Sequence, residues 1–290
     1  MSYQSLLFCL NAGKSDRKRD RAIPLPLGVA ECRNVTYGPY GHHNQLDVYF
    51  PEGTRAVLPT IVSIHGGGYV YGSKDIYRRY CMDLAKRGFT VVNFNYRLAP
   101  KWKFPAPLED TNAVMTWLWE NAAWYHVDPA HVFLIGDSAG AQLASQYAAI
   151  WANPEYARLF SFQVPEVTIR ALGLNCGLYD MAKQAAAPRS GLALDYLGRK
   201  LPEGDPRLDV LGAICAGYPP AHITTACHDF LRENAQPMRD FLSSKGICAT
   251  VKCYGSNDKP NVAHVFHVNI ALEEAKQCND DQCEFFRKNL

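Results

Sequence analysis

Short apolar runs alternate with longer segments of helical period along most of this 290-residue chain. Between the runs, apolar residues such as Ile76, Tyr80 and Leu84 recur every four positions, as on one face of a helix. This alternation is typical of an α/β domain, in which helices cover a mostly parallel sheet. The runs that we predict to be strands are Leu46–Phe50, Thr60–His65, Thr90–Asn95, His131–Gly136, Val167–Leu174, His222–Cys227 and Thr250–Tyr254.

Composition and charge narrow the classes of partner. Hydrophobic residues make up 48% and charged residues 20% of the chain, which excludes disorder as its main state. The formal net charge of +2 provides no field that would hold the protein on nucleic acid or an anionic membrane. The charged run Lys14–Arg21 mixes both signs, so we interpret it as a solvated segment rather than a nucleic-acid arm. We therefore expect a small-molecule partner, no nucleic acid and no membrane.

The cysteines and the N-terminal residues bear on location. The ten cysteines include no CxxC pair, and the wider pairs Cys248/Cys253 and Cys278/Cys283 are weak metal candidates, so we expect buried reduced thiols and no metal. The apolar stretch Leu6–Leu10 is short and precedes the charged run, whereas a signal peptide places its charges first. These features predict a cytoplasmic protein.

The pentapeptide Gly136–Gly140 reads Gly-Asp-Ser-Ala-Gly and is the strongest chemical signal in the chain. It follows the predicted strand His131–Gly136 and precedes the helix-like stretch Ala141–Trp151. Flanking glycines permit the strained strand-to-helix turn that exposes a nucleophilic serine. We predict that Ser138 is a nucleophile.

The segment His65–Tyr69 reads His-Gly-Gly-Gly-Tyr and follows the predicted strand Thr60–His65. Acyl transfer needs hydrogen-bond donors aimed at the developing oxyanion, and consecutive glycines let backbone amides approach it closely. We predict that Gly67 and Gly68 donate to the oxyanion together with the amide of Ala139. The alternative, a phosphate loop, lacks the GxxxxGK[ST] or GxGxxG spacing.

Together these motifs resemble the hormone-sensitive lipase family of α/β-hydrolases, which includes microbial esterases with HGGG and GDSAG motifs. The resemblance spans about residues 33 to 275. One departure is Ala141, where the family often has another glycine, and another is the long stretch Gly255–Ala263. Further matching segments are Asn95–Pro100, Phe104–Asp110, Val127–Ala130 and Pro219–Pro220.

The resemblance implies an α/β-hydrolase fold with a mostly parallel central sheet flanked by helices and a small cap. We expect residues 33–180 and 218–290 to form the catalytic domain. Residues 1–32 and 181–217 are expected to form the cap segments. Candidates for the walls of the pocket are the aromatic residues Tyr69, Tyr71, Trp102 and Phe104, although aromatics at such positions are more often core residues.

In this fold the acid and the base follow the serine in the order Asp or Glu, then His. We assign the acid to Asp229, which begins a segment similar to the DPLRDE segment of the family, with Asp180 as its rival. We assign the base to His264, in a His-Val-Phe segment similar to the HGF segment of the family. His267, three residues later, is its alternative.

The sequence thus predicts a serine carboxylesterase that uses no cofactor and acts on short-chain (acetyl to hexanoyl) esters through an acyl-enzyme. A small-molecule ester is the expected partner, and the chain is compatible with a homodimer. Two alternatives stay open at this point. One is an amidase or formamidase with the same triad, and the other is a ligand receptor that keeps the hydrolase scaffold without catalysis.

Overall fold

Eight strands form one sheet in the computed structural model, which describes residues 1–187, 190–202 and 204–290. The order across the sheet is β1-β2-β4-β3-β5-β6-β7-β8. β2 is antiparallel to both β1 and β4, and all other neighbours are parallel. The predicted mostly parallel sheet is therefore confirmed. The strands are β1 (Val29–Thr36), β2 (Gln45–Pro51), β3 (Leu58–Ile64), β4 (Thr90–Phe94), β5 (Val127–Asp137), β6 (Ile169–Asn175), β7 (Ala221–Ala226) and β8 (Ala249–Tyr254).

Helices connect the strands and cover both faces of the sheet. They are α1 (Tyr3–Ala22), α2 (Lys74–Ala85), α3 (Ala106–Asn121), α4 (Ala139–Ala152), α5 (Pro154–Ala157), α6 (Met181–Ala186), α7 (Gly191–Leu197), α8 (Val210–Ala213), α9 (Ala235–Ser244) and α10 (Glu273–Arg287). The helices α3, α4 and α9 pack on one face, and α2 and α10 pack on the other.

The core follows the alternation of side chains along each strand. In β3, Val62 belongs to the apolar cluster on one face, and its neighbour Ile61 to the cluster on the other. In β5, Leu134 and Phe133 divide in the same way. Since both faces are covered, the central strands are mostly apolar on both faces, and this makes them recognisable as near-continuous runs in the sequence.

Two features of the N-terminal part differ from the sequence-based expectation. The run Lys14–Arg21 lies in the 20-residue helix α1, which follows the N-cap Ser2 and which the sequence did not predict, although Lys14, Arg17 and Lys18 are exposed as expected of a solvated segment. The expected cap boundary after residue 32 falls inside β1, which pairs with β2 in the main sheet. The sheet thus begins at Val29, four residues before the expected start of the catalytic domain and in a strand that the sequence did not predict.

Within the described ranges, no helix is both long enough and apolar enough to cross a bilayer.

Candidate active site

Ser138 lies in a sharp turn between β5 and α4, with φ 53° and ψ −116°. The backbone amide of Ser138 donates to the carbonyl oxygen of Asn175 (2.9 Å). A Cβ on Gly136 would lie 2.3 Å from the carbonyl oxygen of Gly140, and one on Gly140 would lie 2.0 Å from that of Ile64. Both glycines are therefore required for close backbone approach. This strained turn leaves the Ser138 side chain half-buried at the carboxyl edge of the sheet.

The glycine loop that follows β3 lies beside this turn. Gly67 has φ +114° and Gly68 has φ +58°, both conformations that favour glycine. A Cβ on Gly67 would lie 2.1 Å from the carbonyl oxygen of Tyr71, so only glycine fits there. Ala139, whose amide is the third predicted donor, is the first residue of α4. Ser138 and these three residues all line one cavity.

The histidine that precedes the glycines is a structural element of the loop. His65 is fully buried, its ring stacks on Tyr96 (4.1 Å between centroids), and its Nδ1 lies 2.7 Å from the carbonyl oxygen of Gly66. Burial lowers the pKa of His65 to about 4, so the ring is neutral near pH 7. It therefore shapes the loop without adding charge.

The candidate acid and base lie on two loops that are paired with each other. Asp229 follows β7, and an isolated parallel bridge joins its neighbour His228 to Ala263, next to His264. After the histidine, Val265 has φ 62°, a left-handed conformation that β-branched residues rarely adopt. This position is the middle residue of the His-Val-Phe segment, where the similar family segment has glycine.

Asp229 and His264 are hydrogen-bonded, with His264 Nδ1 2.6 Å from Asp229 Oδ1. The Leu231 amide donates to Oδ1 (2.9 Å), and the Thr225 hydroxyl donates to Oδ2 (2.7 Å). Burial raises the pKa of Asp229, but hydrogen bonds from His264, Leu231 and Thr225 outweigh burial and hold the pKa below its usual range. The carboxylate is thus ionised and fixes the orientation of the imidazole.

The two rival residues have structural surroundings. His267 is fully buried with Tyr80 edge-on at 5.2 Å, and burial lowers its pKa to about 3. Asp180 is the N-cap of α6 and accepts a hydrogen bond from the Lys183 amide (2.8 Å). Neither His267 nor Asp180 lines the cavity that the described residues form around Ser138.

We expect Asp229→Asn to lower kcat for an ester substrate by about 10⁴-fold, because the amide cannot orient and stabilise a protonated imidazole as the carboxylate does. Asp180→Asn is the matched control and should change kcat less than about threefold, since it alters only a helix cap. Steady-state kinetics with melting curves for both variants make the test. The reverse ranking would move the acid to Asp180.

The cavity has a volume of about 610 Å³. It lies between the carboxyl edge of the sheet on one side and the helices α1, α6 and α7 on the other. Tyr69 and Tyr71 line it, as predicted from the sequence. Leu192, Tyr196 and Leu197 from α7, which are among the large hydrophobic residues of the expected cap, also line it, and residues that the sequence did not single out include Phe8, Asp16 and Arg19 from α1 and Phe230. No local pattern marks these residues, because α1 reaches the site only in the folded chain.

For Trp102 and Phe104 the structure corrects the prediction, because neither lines the cavity that the described residues form. Phe104 is buried in the core, edge-on to Tyr196. Trp102 packs against the ring of His43 (4.5 Å). Phe104 therefore packs behind Tyr196 of the pocket wall, whereas Trp102 packs on the segment between β1 and β2.

Among the described residues, one group of three side chains has the spacing to bind a metal ion. It consists of Cys176, Asp229 and His264, whose ligand atoms all lie within 4.8 Å of one another. Two of the three are Asp229 and His264, the candidate acid and base, which are hydrogen-bonded to each other. The sequence pairs Cys253 with Cys248 as a weak metal candidate. In the structure, the sulfur atom near Cys253 Sγ is that of Cys227, at 3.8 Å.

A family model described as "alpha/beta hydrolase fold" matches residues 61–268. The chain belongs to the α/β-hydrolase family. The hydrolase is 30% identical over 238 residues to the carboxylesterase NlhH of Mycobacterium tuberculosis, an alignment covering 78% of this chain and 71% of the relative.

Solved structures agree with this assignment. The hydrolase matches a crystal structure of esterase B from Lactobacillus rhamnosis with a C4-C4 SN3 tributyrin phosphonate inhibitor, with a TM-score of 0.87, 27% identity and coverage of 98% of this chain and 93% of that one. It matches an esterase of the bacterial hormone-sensitive lipase family with a TM-score of 0.73, 26% identity and coverage of 94% and 89%. The resemblance to the hormone-sensitive lipase family is thus confirmed, and the hydrolase is a carboxylic ester hydrolase.

Proposed function

We propose that the hydrolase cleaves short-chain carboxylic esters by a serine mechanism with Ser138, His264 and Asp229 as its triad. The observation that carries this proposal is the 2.6 Å contact between His264 Nδ1 and Asp229 Oδ1, on the rim of the cavity that Ser138 also lines. With Nδ1 engaged by the carboxylate, Nε2 is the nitrogen left to take a proton from the serine hydroxyl.

In the first half of the reaction, the Ser138 oxygen attacks the ester carbonyl as His264 accepts the hydroxyl proton. The negative charge moves to the carbonyl oxygen, where the amides of Gly67, Gly68 and Ala139 are the proposed donors. The C–O bond to the alcohol then breaks, and protonated His264 returns the proton to the leaving oxygen. Asp229 stabilises the imidazolium throughout without taking the proton.

In the second half, water attacks the acyl-enzyme while His264 accepts its proton. Collapse of the second oxyanion releases the carboxylic acid and returns the proton to Ser138. The balance is one ester and one water to one acid and one alcohol, so the cycle needs no metal or redox partner. We propose that the partner is a small-molecule ester in solution and that neither nucleic acid nor a membrane takes part.

We propose the cytoplasm as the compartment of the hydrolase. The ten cysteines are free thiols, four of them buried, as is typical of proteins that work under reducing conditions.

The acyl preference follows from the walls of the cavity. Leu192, Tyr196 and Leu197 supply an apolar wall, whereas α1 brings the charged pair Asp16 and Arg19 (2.9 Å) to the lining. Each methylene that enters the apolar part contributes about 0.8 kcal/mol, and a chain that continues past it meets charge or water. The preference should therefore rise from acetyl, reach its maximum near butyryl and then fall.

The test is a panel of 4-nitrophenyl acyl esters and matching anilides at equal soluble concentration, with Ser138→Ala as the blank. We expect kcat/KM to be highest for acyl groups of two to six carbons. Faster hydrolysis of the sixteen-carbon ester than of the four-carbon one would contradict the acyl range. Faster cleavage of anilides than of esters would contradict the choice of ester over amide.

A further inference from the structure

Two hydrogen bonds in series connect the glycine loop to the residue that precedes the nucleophile. The amide of Gly66 donates to the hydroxyl oxygen of Tyr77 (3.1 Å), and the Tyr77 hydroxyl donates to Asp137 Oδ2 (2.8 Å). Tyr77 belongs to α2, whereas Gly66 follows β3 and Asp137 ends β5. A side chain from a third element thus connects the two loops that form the reacting centre.

The bridge is buried, so its polar groups depend on one another. Tyr77 is 6% exposed and Asp137 is 2% exposed. A Cβ on Gly66 would lie 2.2 Å from Asp137 Oδ2, which shows how closely the loop packs on this carboxylate. Burial raises the pKa of Asp137 to about 7, and the hydrogen bond from Tyr77 acts in the opposite direction. If the hydroxyl were removed, the Gly66 amide and the Asp137 carboxylate would each lose this partner at the wall of the cavity, which Gly66, Tyr77 and Asp137 all line.

We infer that Tyr77 is a positioning residue, whose hydroxyl holds the Gly66 backbone and thereby sets the amides of Gly67 and Gly68 relative to Ser138. The inference rests on the proposed function, because the two amides are the proposed oxyanion donors. Such donors stabilise the transition state only when they stand at hydrogen-bond distance from the oxygen as charge develops on it. A small displacement of Gly66 moves both amides, whereas the ring of Tyr77, which lines the cavity, is kept in a Tyr77→Phe variant.

The chain offers a matched control for the test. Tyr80 lies three residues after Tyr77 on the same helix and is 2% exposed, but its hydroxyl has no hydrogen-bond partner among the described residues. Tyr77→Phe and Tyr80→Phe each remove one buried oxygen and keep the ring. Only Tyr77→Phe removes the bridge.

For Tyr77→Phe we expect kcat on 4-nitrophenyl butyrate to fall about 10- to 100-fold with KM changed less than about twofold, as for the loss of an interaction made in the transition state. For Tyr80→Phe we expect both constants to stay within about twofold. Melting curves show whether each variant is folded. A folded Tyr77→Phe with kcat equal to that of Tyr80→Phe would overturn the inference.

Inhibition gives a second measurement that a general loosening of the fold would not reproduce. Butylboronic acid adds to the serine as a tetrahedral anion with an oxygen at the oxyanion position, whereas butyrate binds as a planar ion. Tyr77→Phe should weaken boronic acid inhibition by about the same factor as kcat and leave butyrate inhibition unchanged. Equal weakening of both would show a merely structural role and overturn the proposal.

A third variant keeps the inference testable if Tyr77→Phe does not fold. Asp137→Ala removes the acceptor at the other end of the bridge, and we expect the same loss of kcat with KM retained. An unchanged kcat in folded Asp137→Ala would overturn the inference. The proposed function itself would fail differently, because the unmodified protein would then not hydrolyse the butyryl ester above the Ser138→Ala blank.

Discussion

Replacing Ser138 with alanine is expected to lower kcat for 4-nitrophenyl butyrate by about 10⁵-fold or more. The variant keeps the Cβ and loses only the oxygen that would form the acyl-enzyme, and no neighbouring side chain can supply a nucleophile at the same place on the turn. The fold should persist, because the backbone conformation at residue 138 (φ 53°) is held by the glycines around it. Kinetics and a melting curve on the purified variant make the measurement.

Ser145 provides the control for this substitution. It also lies on α4 and is fully buried, but its hydroxyl is 2.9 Å from the Tyr218 hydroxyl, away from the cavity lining. Ser145→Ala should retain kcat within about twofold and lose about 1 kcal/mol of stability with its hydrogen bond. If Ser138→Ala kept more than about a tenth of the wild-type activity, the serine mechanism would be wrong.

Replacing His264 with alanine should have an effect of the same order, about 10⁵-fold on kcat, because the loss of the base leaves the serine hydroxyl without a proton acceptor. Its side chain is partly exposed to the cavity (19%), so its removal leaves space that water can fill. The melting temperature should therefore change little. The measurement is kcat with the same butyryl ester, combined with thermal unfolding.

His267→Ala is predicted to show the opposite pattern. The ring of His267 is fully buried, and its deletion leaves a cavity that destabilises the fold by several kcal/mol (about 2–5). Its nitrogens make no hydrogen bond within the described structure, and kcat of the folded fraction should stay within a few-fold. A severe kcat loss in His267→Ala together with a mild one in His264→Ala would exchange their roles.

The seven strands predicted from the sequence all correspond to strands of the sheet, because apolar and β-branched runs leave a local signal that is strongest where both faces are covered. β1 leaves a weaker one. It lies at one edge of the sheet, includes Glu31, Arg33 and Asn34 and has no buried residue, whereas β8 at the other edge buries Tyr254. The helix α1 was not predicted for a related reason: its buried residues are Ser5 and Gly13, so no apolar face is visible in the sequence.

Some residues of the candidate site are indicated by short local motifs, and others only by contacts between distant parts of the chain. The turn at Ser138 and the loop at Gly67 depend on glycines within a few residues, so both were predictable from short motifs. The choice of His264 over His267 as the candidate base rests on two structural observations. His264 contacts Asp229, whereas His267 is fully buried. The role inferred for Tyr77 depends on a partner 60 residues away, and no spacing in the sequence indicates it.

The position of α1 has a consequence for the order of folding. Its contacts are with residues much later in the chain: Tyr71, which donates to Asp16, the Ile76 carbonyl, which accepts from Arg19, and Asp195, which accepts from the Ser2 amide. During synthesis the first helix to leave the ribosome therefore waits for about two thirds of the chain before its last partner emerges. The segment made first is thus fully placed only after the chain has emerged as far as α7, so the pocket gains its outer wall after strands β1 to β6 have been made.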